Sequence, residues 1–485
     1  MSGTVESLEL PAKLARRPAT LSQAVLAGLV AVCDACATVL PGLLLVFLPG
    51  RQLSGELTEI AALVSLAAIL VVLGAHAAGL YRFTSLLAPR RQIRRILAVC
   101  GTTFLILIAF AFALKISTNF SRLWTFSWML CFVTTIVAIR LFVADALRRL
   151  AESGMISRKI VVFGAHAHGE NVIRRIELLA EPWNRIVGVF DDRLSRVAPN
   201  VSGYPVLGNL SDLVRWSRGQ QPDEILVALP WGAEARVAHV LKSLEVLPAN
   251  VRLCAEFVRP ELGAGRMNYQ FGMPMLSAYE KPMDGWGHIV KRAFDLGFAA
   301  SILILSMPLL ILIAICIRLE SRGPILFRQP RYGFNNELVD VFKFRTMAVE
   351  ASDTLGVRLT ARRDARVTRV GAILRRLSLD ELPQLINVMR GEMSVVGPRP
   401  HAVKTTAGSR QCDDVVDEYA VRHKVKPGIT GWAQVNGWRG TMEDEEHLIR
   451  RVEHDLFYIK NWSMLLDLKI IVMTPWTIVL GRNSF

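Results

Sequence analysis

The chain is poor in the residues that would build a disulfide or metal scaffold. Its 485 residues contain seven cysteines, an odd number, and several of them lie inside apolar runs. Cys33 and Cys36 have the spacing of a metal or redox pair, but no second pair and no histidine stands near them in the sequence. Both fall in the first apolar segment, where ordinary packing accounts for them. The sequence therefore argues against a disulfide-stapled secreted fold.

Acidic residues are scarce relative to basic ones. The chain has 57 Lys and Arg against 42 Asp and Glu, which gives a formal net charge of +15. Such a balance can indicate nucleic-acid binding, but here the basic residues cluster beside apolar runs. This placement favours the anionic inner face of a membrane, or a phosphorylated substrate. We expect no nucleic-acid partner.

Charge is almost missing from long stretches of the first third, and 52% of the chain is hydrophobic. After a cytoplasmic tail at residues 1–20, four stretches within residues 21–145 are each long enough for a transmembrane helix. No A-x-A-like cleavage site follows the first stretch, so we expect an anchor rather than a removed signal peptide. The first stretch also carries Asp34, whose role the sequence does not reveal. The four stretches are Leu21–Leu48, Ile60–Leu80, Ile96–Leu114 and Leu123–Ile139.

Lysine and arginine are distributed unequally between the connecting loops. The tail, the loop after the second stretch and the segment after the fourth are rich in them. The two opposite loops contain only Arg51, Lys115 and Arg122. Because cytoplasmic loops carry the excess of these residues, both ends of the predicted four-helix bundle are expected in the cytoplasm.

A fifth apolar run, Leu296–Ile317, has no charged residue over 22 positions. Arginines follow it at once, which disfavours a crossing that would carry the rest of the chain outside. Ser306 and Pro308 lie in its middle, and a proline there removes a backbone hydrogen bond and kinks a helix. We predict a re-entrant helical hairpin over about residues 288–317 that returns to the cytoplasmic face. A kinked true span is the alternative.

From residue 157 the pattern becomes that of a soluble α/β domain, which we place at residues 157–260. KIVVFGAHAHGENVIRRI predicts a strand, a glycine turn and a helix, and a second strand ends near Asp191. Gly164 and Gly169 stand at the first and third glycine positions of a dinucleotide-binding turn, but His166 occupies the second. A Rossmann-like fold is expected. Nucleotide binding at Gly164, Gly169 and Asp191 is one interpretation, and a ligand-free βαβ turn is the other.

Two adjacent carboxylates, Asp380 and Glu381, follow a pair of arginines in LRRLSLDELPQL. Ser378 and Glu381 have the spacing of a capping box, so the segment is predicted to begin a helix. That helix start would present Asp380 to an anionic group such as a phosphate. Several arginines stand in nearby motifs, and guanidinium forks suit phosphate oxygens. Neighbours on a helix diverge by about 100°, so two separate roles are expected rather than one shared proton.

The C-terminal segment, residues 285–485, resembles the bacterial sugar transferases, which are monotopic phosphoglycosyl transferases. The resemblance rests on motifs in matching order and spacing, namely KRAFDLGFAA, RGPILFRQPRYG, DVFKFRTM, SLDELPQL, GPRP and KPGITGWAQVNGWRG. With four spans and a Rossmann-like domain ahead of it, the chain is similar to the large members, the polyprenyl glycosylphosphotransferases. VNGWRG further resembles the undecaprenyl-phosphate glucose phosphotransferase branch. The fold class implied is an α/β membrane protein with a mostly α catalytic domain.

This resemblance implies transfer of hexose-1-phosphate from a UDP-sugar to undecaprenyl phosphate at the bacterial inner membrane, at the start of exopolysaccharide or capsule synthesis. Glucose is expected, with galactose or an N-acetylhexosamine as alternatives. Asp380 matches the nucleophile that forms a covalent phosphosugar. Glu381 would assist, either by holding Mg²⁺ together with Asp380 or by handling a proton. The positions that match phosphate-binding residues of the family are Lys343, Arg345, Arg375 and Arg399.

The predicted hairpin should bring the site to the bilayer. Lys291 and Arg292 stand at its mouth, where their side chains would meet lipid or polyprenyl phosphates, or simply anchor the interface. Ser306 and Pro308 are assigned to the same membrane interface. The closing stretch, residues 465–480, is interrupted by polar residues and proline, and it is predicted to lie in the membrane plane. The sequence is compatible with a homo-oligomer and does not decide the oligomeric state.

Two other classes of function are alternatives for this sequence. A membrane-anchored NAD-dependent nucleotide-sugar oxidoreductase built on Gly164 would need a second turn glycine and a catalytic pair such as Tyr-x-x-x-Lys, and neither is found. A non-enzymatic sensor or scaffold would leave the arginine-rich C-terminal motifs without a role. The sugar transferase is therefore the leading hypothesis.

Overall fold

A computed structural model describes residues 22–47, 57–117, 120–154, 156–179, 181, 183–230, 232–254, 267–347, 364, 366–401, 406–407, 410–411, 416, 419–438, 440 and 445–479. The described residues form two compact units. The first comprises positions up to 158 together with 181–185, and the second comprises 159–180 and 186 onwards. The predicted tail at residues 1–20 lies outside the described residues.

The first unit is helical. Its helices are α1 (Gln23–Leu44), continued by a 3₁₀ turn at Leu45–Phe47, then α2 (Leu57–Ala77), the short α3 (Phe83–Leu86), α4 (Pro89–Ala113) and α5 (Arg122–Glu152). The four long helices coincide with the four apolar stretches read from the sequence. By length and composition each could cross a membrane, and so could a fifth helix further along the chain.

The four long helices pack around a core of large aromatic side chains. Trp124 and Trp128 are fully buried on α5 and stack on each other; Trp124 also stacks on Phe120, and Trp128 packs at a tilt against Phe104. Their indole N–H groups donate to the Gly42 and Thr38 carbonyls of α1, over 3.1 and 2.8 Å. Gly42 is needed for this close approach, because a Cβ there would lie 2.5 Å from the Val64 side chain of α2.

Asp34 acquires a role in this core. Its carboxylate accepts from the Arg140 guanidinium of α5 over 2.5 Å and from the Tyr81 hydroxyl over 2.9 Å. Arg140 also donates to the Leu80 carbonyl. Asp34 and Arg140 are both buried, and a charge in such surroundings is tolerated only when it is paired. The pair therefore ties α1 to α5 and to the turn after α2.

The second unit begins with a six-stranded sheet in the order β2-β1-β5-β6-β8-β7. Strands β1, β5 and β6 are parallel, whereas β8 runs antiparallel to β6 and β7 antiparallel to β8. The strands read as continuous apolar runs because both faces of the sheet are covered. The elements in chain order are β1 (Arg158–Phe163), α6 (Ala167–Leu178), β2 (Asn184–Phe190), β3 (Asn200–Val201), β4 (Tyr204–Pro205), α7 (Leu210–Gln220), β5 (Glu224–Val227), α8 (Glu234–Leu244), β6 (Asn250–Cys254), β7 (Met267–Gln270) and β8 (Met273–Tyr279).

The C-terminal part is built from one long helix, short strands and several helices. Hairpin β9–β10 is antiparallel, β11 pairs with β14 in parallel, and β12 pairs with β13. The elements are α9 (Trp286–Glu320), β9 (Leu326–Tyr332), β10 (Leu338–Phe344), α10 (Arg369–Arg376), α11 (Gln384–Arg390), β11 (Ser394–Val396), β12 (Thr406–Ala407), β13 (Arg410–Gln411), β14 (Gly428–Thr430), α12 (Trp432–Val435), α13 (Glu445–Lys460) and α14 (Met464–Val479).

Helix α9 contains the fifth apolar run and has its two ends fixed to the same C-terminal part. At its beginning, Asp295 accepts from the Ser394 hydroxyl and the Val395 N–H of β11. Near its end, Ile313 and Ile317 pack against Phe344 and other buried apolar residues. Its middle is largely exposed, and Pro308 lies inside a helix described as continuous from Trp286 to Glu320.

Candidate active site

The two carboxylates lie in a tight turn between α10 and α11. Thr368 caps α10 by accepting from the Gly371 N–H, and Gly371 lies so close to Thr346 that an added Cβ would be 2.2 Å from its carbonyl oxygen. After α10, Ser378 adopts a left-handed conformation with φ 57°, and a 3₁₀ turn follows at Leu379–Glu381. This sharp reversal turns the carboxylate pair into the domain, where Asp380 and Glu381 are both buried.

The predicted capping box is wrong. The Ser378 side chain makes no capping hydrogen bond, and its left-handed backbone differs from the extended conformation of a usual N-cap. Glu381 binds cations from two other elements: Lys343 of β10 donates to its Oε1 over 2.9 Å, and Arg399 donates to both of its oxygens, over 3.0 Å at Oε2. These charge-assisted bonds are stronger than a bond to a neutral N–H.

Asp380 has a different environment from its neighbour. Within the described ranges, no group donates a hydrogen bond to its carboxylate. Burial raises the pKa of Asp380 above its ordinary value; Lys343, Arg375 and Arg399 act in the opposite direction. Its pKa therefore reflects a balance in which desolvation outweighs nearby positive charge. Within the described residues, a buried carboxylate near several cations but without a hydrogen bond from them is a candidate nucleophile for an electrophile such as a phosphate.

Three of the four predicted phosphate-binding residues lie around this pair. Lys343 and Arg399 contact Glu381 directly, and burial lowers the pKa of Lys343 while Glu381 opposes that change. Arg375 donates to the Thr346 hydroxyl over 2.9 Å; burial lowers its pKa, and the nearby charge of Asp380 opposes the shift. These residues come from a strand, a helix and a loop, so the fold assembles the cationic surroundings from separate segments.

Arg345 makes its hydrogen bonds at the end of α9, and phosphate binding by this residue stays a prediction. Its guanidinium is buried and donates to the Ser321 and Arg322 carbonyls over 2.8 and 2.9 Å. These groups form the turn that leaves α9. Arg345 thus closes the end of the long helix instead of facing the carboxylates, because β10 ends at Phe344 and the strand alternation that would align it with Lys343 stops there.

Arg331 belongs to the site and was missed in the sequence. It donates to the Pro400 carbonyl, next to Arg399, over 2.7 Å. Burial and Arg399 lower its pKa to about 10, whereas Glu381 and Asp380 raise it. The signal was available in the register of the β9–β10 hairpin, where Arg331 pairs with Val339, four residues before Lys343. Positions separated by an even number share one face of a strand, so Arg331 and Lys343 lie on the same side.

A buried polar cluster supports the loop that carries Arg399. Arg422 is almost fully buried; it donates to the Arg399 carbonyl over 2.8 Å and forms an ion pair with Asp455 of α13 at 2.8 Å. His401 lies 3.0 Å from Arg422 and 2.5 Å from the Tyr419 hydroxyl. Burial, followed by the charge of Arg422, holds the pKa of His401 well below its ordinary value, so its ring is neutral.

Sequence similarity to known proteins extends over most of this chain. An undecaprenyl-phosphate glucose phosphotransferase of Komagataeibacter xylinus is 39% identical, over 79% of this chain and 69% of its own length. A UDP-glucose:undecaprenyl-phosphate glucose-1-phosphate transferase of Escherichia coli K12 is 38% identical, over 69% of this chain and 71% of its own. A protein of the same name in Xanthomonas campestris is 33% identical over 79% of each. Residues 286–481 match the bacterial sugar transferase family.

The chain belongs to the bacterial sugar transferase family.

This membership confirms the resemblance predicted from the C-terminal motifs. Five helices apolar enough to cross a bilayer make this sugar transferase a membrane protein. A second match, to a CoA-binding domain, covers residues 76–255 and so includes most of the Rossmann-like sheet.

In this sugar transferase the residues assigned to the membrane interface have distinct positions. Lys291 is buried and paired with Asp295 at 3.1 Å and with Asp467 of α14 at 2.8 Å. It links two helices of the catalytic part, which corrects the prediction that its ammonium group snorkels to lipid. Arg292 donates to the Val388 and Met389 carbonyls at the end of α11. Ser306 donates to the Ile302 carbonyl one turn earlier, beside Pro308 in the exposed middle of α9.

The Rossmann-like turn of this sugar transferase is closed by its own residues. A Cβ on Gly164 would lie 2.4 Å from the Ala228 carbonyl oxygen, and one on Gly169 would lie 1.8 Å from that of Gly164. Both glycines therefore serve close backbone packing. Asp191 is buried and accepts from the Ala165 N–H over 2.9 Å, and it pairs with Arg236 at 3.1 Å. Nucleotide binding at Gly164, Gly169 and Asp191 stays a prediction, because the contacts described here for these residues lie within the domain.

Proposed function

We propose that this protein transfers glucose-1-phosphate from UDP-glucose to undecaprenyl phosphate at the cytoplasmic face of the bacterial inner membrane, at the start of exopolysaccharide or capsule synthesis. The names of its relatives in three organisms support this reaction. The observation that carries the proposal in this chain is the difference in environment between Asp380 and Glu381. One carboxylate is bound by Lys343 and Arg399, and its neighbour is left available among the same cations.

The reaction proceeds in two displacements. An Asp380 carboxylate oxygen attacks the phosphorus next to the sugar, and the bond to the bridging oxygen breaks. UMP leaves with that electron pair, and the sugar phosphate remains on Asp380 as an acyl phosphate, a mixed anhydride. A phosphate oxygen of undecaprenyl phosphate then attacks the same phosphorus, the P–O bond to Asp380 breaks, and the carboxylate leaves with its electron pair. The product carries the sugar on a new pyrophosphate, and the kinetics are ping-pong.

The surrounding cations contribute by binding and orienting phosphates. Arg375 and Arg399 lie close enough to Asp380 to lower its pKa, and Asp380 lies close enough to Arg331 to raise the pKa of that residue. Preorganised donors of this kind stabilise negative charge that builds up in a phosphoryl-transfer transition state. Glu381 positions Lys343 and Arg399, because its two oxygens are engaged by them. This geometry favours a positioning role for Glu381 over proton transfer.

We further propose Mg²⁺ as the cofactor. Asp380 fits as its ligand because its carboxylate is not hydrogen-bonded within the described residues, whereas both oxygens of Glu381 are occupied by cations. No group of three His, Cys, Asp or Glu side chains among the described residues could hold a metal alone. Substrate phosphates and water would complete the shell, as is usual for Mg²⁺. When bound, the ion would offset the negative charge of the donor pyrophosphate.

We propose that α1, α2, α4 and α5 form a four-helix transmembrane bundle with both ends in the cytoplasm, as the loop charges predict. We also propose that α9 is re-entrant. Its beginning is bonded to β11 and its end packs on β10, so both ends belong to the same C-terminal part. Pro308 and the exposed apolar middle fit a bend inside the bilayer. This arrangement would hold Asp380 at the depth of the acceptor phosphate.

The test is release of UMP by the purified full-length protein. With UDP-glucose and Mg²⁺ we expect a single-turnover burst of UMP without acceptor, and continuous release when undecaprenyl phosphate is added. EDTA should abolish the burst, and added Mg²⁺ should restore it. UDP-galactose and UDP-N-acetylhexosamines are compared in parallel to decide the sugar. Absence of UMP from every donor would refute the proposed function.

A further inference from the structure

Two buried polar side chains near the Arg399 loop each have a nitrogen atom without a hydrogen-bond partner. His401 follows Arg399 by two residues and is 6% exposed, and its Nε2 has no partner among the described residues. Arg451 of α13 is 2% exposed, and its Nε has none within the same part of the chain. A buried donor without a partner costs free energy, so folded proteins rarely keep one unless water or a ligand completes it.

The contacts of the other ring nitrogen decide where the proton of His401 lies. The guanidinium of Arg422 is 3.0 Å from Nδ1, and the Tyr419 hydroxyl is 2.5 Å from the same atom. Because a guanidinium can only donate, Nδ1 is an acceptor. Burial and the charge of Arg422 hold the pKa of His401 well below its ordinary value, so the ring is neutral. Its one proton is therefore on Nε2, which is a buried donor.

Arg451 is brought to the same place by the ion pair behind the loop. Asp455 follows Arg451 by one helical turn, so both side chains lie on one face of α13. Asp455 pairs with Arg422 at 2.8 Å, and Arg422 contacts the His401 ring and donates to the Arg399 carbonyl. Burial, followed by the charge of Arg422, lowers the pKa of Arg451 to about 9. A bound anion would relieve this accumulation of positive charge.

A guanidinium and a neutral N–H donor in one buried place complement an anion with several oxygen atoms, such as a phosphate. The proposed donor carries two phosphates. The one next to the sugar must reach Asp380, among Lys343, Arg375 and Arg399. The other is joined to it through a single oxygen, so its binding site must adjoin the first. His401 meets this requirement because it belongs to the loop that carries Arg399.

We propose that His401 and Arg451 bind the donor phosphate that leaves with uridine in UMP. The inference rests on the proposed function and deepens it, since it assigns the second donor phosphate to residues outside the surroundings of Asp380. Arg451 supplies positive charge, and the Nε2–H of His401 donates to a phosphate oxygen. Negative charge on this phosphate grows as the bond to the bridging oxygen breaks, so both residues stabilise the leaving group. The competing occupants are the acceptor phosphate and a water or inorganic anion that only stabilises the fold.

The experiment measures equilibrium binding of UMP and of uridine by calorimetry. UMP carries the phosphate in question and uridine lacks it, so the two Kd values separate phosphate binding from uridine binding. Full-length protein is used in nanodiscs of phosphatidylethanolamine and phosphatidylglycerol, without acceptor. The variants are Arg451→Gln, Arg451→Lys, which keeps the charge, and His401→Phe, which keeps a ring but removes the donor. Arg450→Gln is the matched control, because Arg450 is the preceding residue of α13 and its side chain is exposed.

We expect Arg451→Gln to raise the Kd of UMP about 10-fold or more, as for the loss of a charge-assisted hydrogen bond, and to leave the Kd of uridine unchanged. Arg451→Lys should recover part of this loss, and Arg450→Gln should bind as wild type does. His401→Phe should raise the Kd of UMP by about 3–10-fold, and it tests the site independently if Arg451→Gln does not fold.

Three results would overturn the proposal. The first is a UMP affinity that stays normal, or falls only in parallel with that of uridine. The second is a higher KM for undecaprenyl phosphate with normal UMP binding, which would assign the site to the acceptor phosphate. The third is a lower Tm with normal UMP binding, which would indicate a purely structural water or ion. Failure of the wild type to release UMP from any UDP-sugar would instead refute the proposed function.

Discussion

Asp380 and Glu381 are neighbours in the chain, but their surroundings differ. Glu381 neutralises Lys343 and Arg399 by direct contact, so its charge is used in binding the protein's own cations. The same cations lower the pKa of Asp380 without a described hydrogen bond to it, but burial raises that pKa by more. Such separation of two carboxylates by environment is the general way in which a fold assigns different roles to like groups.

Replacing Asp380, the proposed nucleophile, should separate its role from that of Glu381. Asp380→Asn is expected to lower UMP release by roughly 10³-fold or more and to abolish the covalent phosphosugar, because the amide is not a nucleophile here. Glu381→Gln should lower the rate less, by about 10–100-fold, through loosening of Lys343 and Arg399. Intact-protein mass spectrometry after mixing with UDP-glucose detects the adduct. Glu453→Gln, at an exposed carboxylate, is the control, and an adduct on Asp380→Asn would contradict the assignment.

The pH dependence of the first step should report on Asp380. The reacting form is ionised, so kcat/KM for UDP-glucose should fall as the pH drops through the raised pKa of Asp380. Arg375 lowers that pKa, so Arg375→Gln should move the acid limb of the profile to higher pH. Arg376→Gln removes a neighbouring, exposed arginine and should leave the limb in place. A limb that stays fixed or moves to lower pH in Arg375→Gln would show that another group titrates.

At the scale of elements, the loop from Arg399 to His401 is held in place by hydrogen bonds from buried arginines of other segments. Arg331 and Arg422 each donate to one of its carbonyls, and Arg422 is in turn neutralised by Asp455. The four charged residues come from separate segments. Arg331 lies on β9, Arg399 on the loop itself, Arg422 on a 3₁₀ segment at Tyr419–Lys424 and Asp455 on α13. The direction of the Arg399 side chain is therefore set by contacts distant in sequence.

Breaking the buried Arg422–Asp455 pair should affect both stability and activity. Asp455→Asn leaves the Arg422 guanidinium without its counter-ion, and loss of one partner of a buried pair costs about 3–5 kcal/mol. We expect a clear fall in Tm, together with a decrease in UMP release because Arg399 is less well placed. Arg450→Ala on the same helix breaks only an exposed pair with Glu453 and should change Tm little. A normal Tm in Asp455→Asn would argue against the supporting role.

The sequence predicted the helices and strands that carry the site better than it predicted where individual side chains point. The long apolar runs, the first strands of the sheet and the segment that carries Asp380 all follow from periodicity and motif order. The conformation of Ser378 and the hydrogen bonds of Arg345 could not be predicted in this way, because each depends on where a helix or strand ends. The left-handed turn at Ser378 overrides a capping pattern, and the end of β10 at Phe344 turns Arg345 away. Lys291 was misplaced because its partners, Asp295 and Asp467, are 172 residues apart in the chain.

At the scale of the whole molecule, the path of α9 decides on which side of the membrane catalysis occurs. A re-entrant helix and a true span predict different labelling of single cysteines. The variants are Asp284→Cys and Leu319→Cys, each in a background without native cysteines. A re-entrant helix leaves both on one side, so an impermeant maleimide should label both only in inside-out vesicles. Lys115→Cys, expected on the opposite side, is the control. Labelling of Asp284→Cys and Leu319→Cys from opposite sides would establish a true span.

The Asp34–Arg140 pair also has a consequence for how the protein is made. The two residues are 106 positions apart, on the first and last helices of the proposed bundle. At synthesis rates of 5–20 residues per second, about 5–20 s pass between the appearance of the acid and that of its counter-charge. During this interval the first helix carries a carboxylate that hydrocarbon does not tolerate. If the four helices cross the bilayer, we therefore expect the first helix to become stable in lipid only after the last helix has been made.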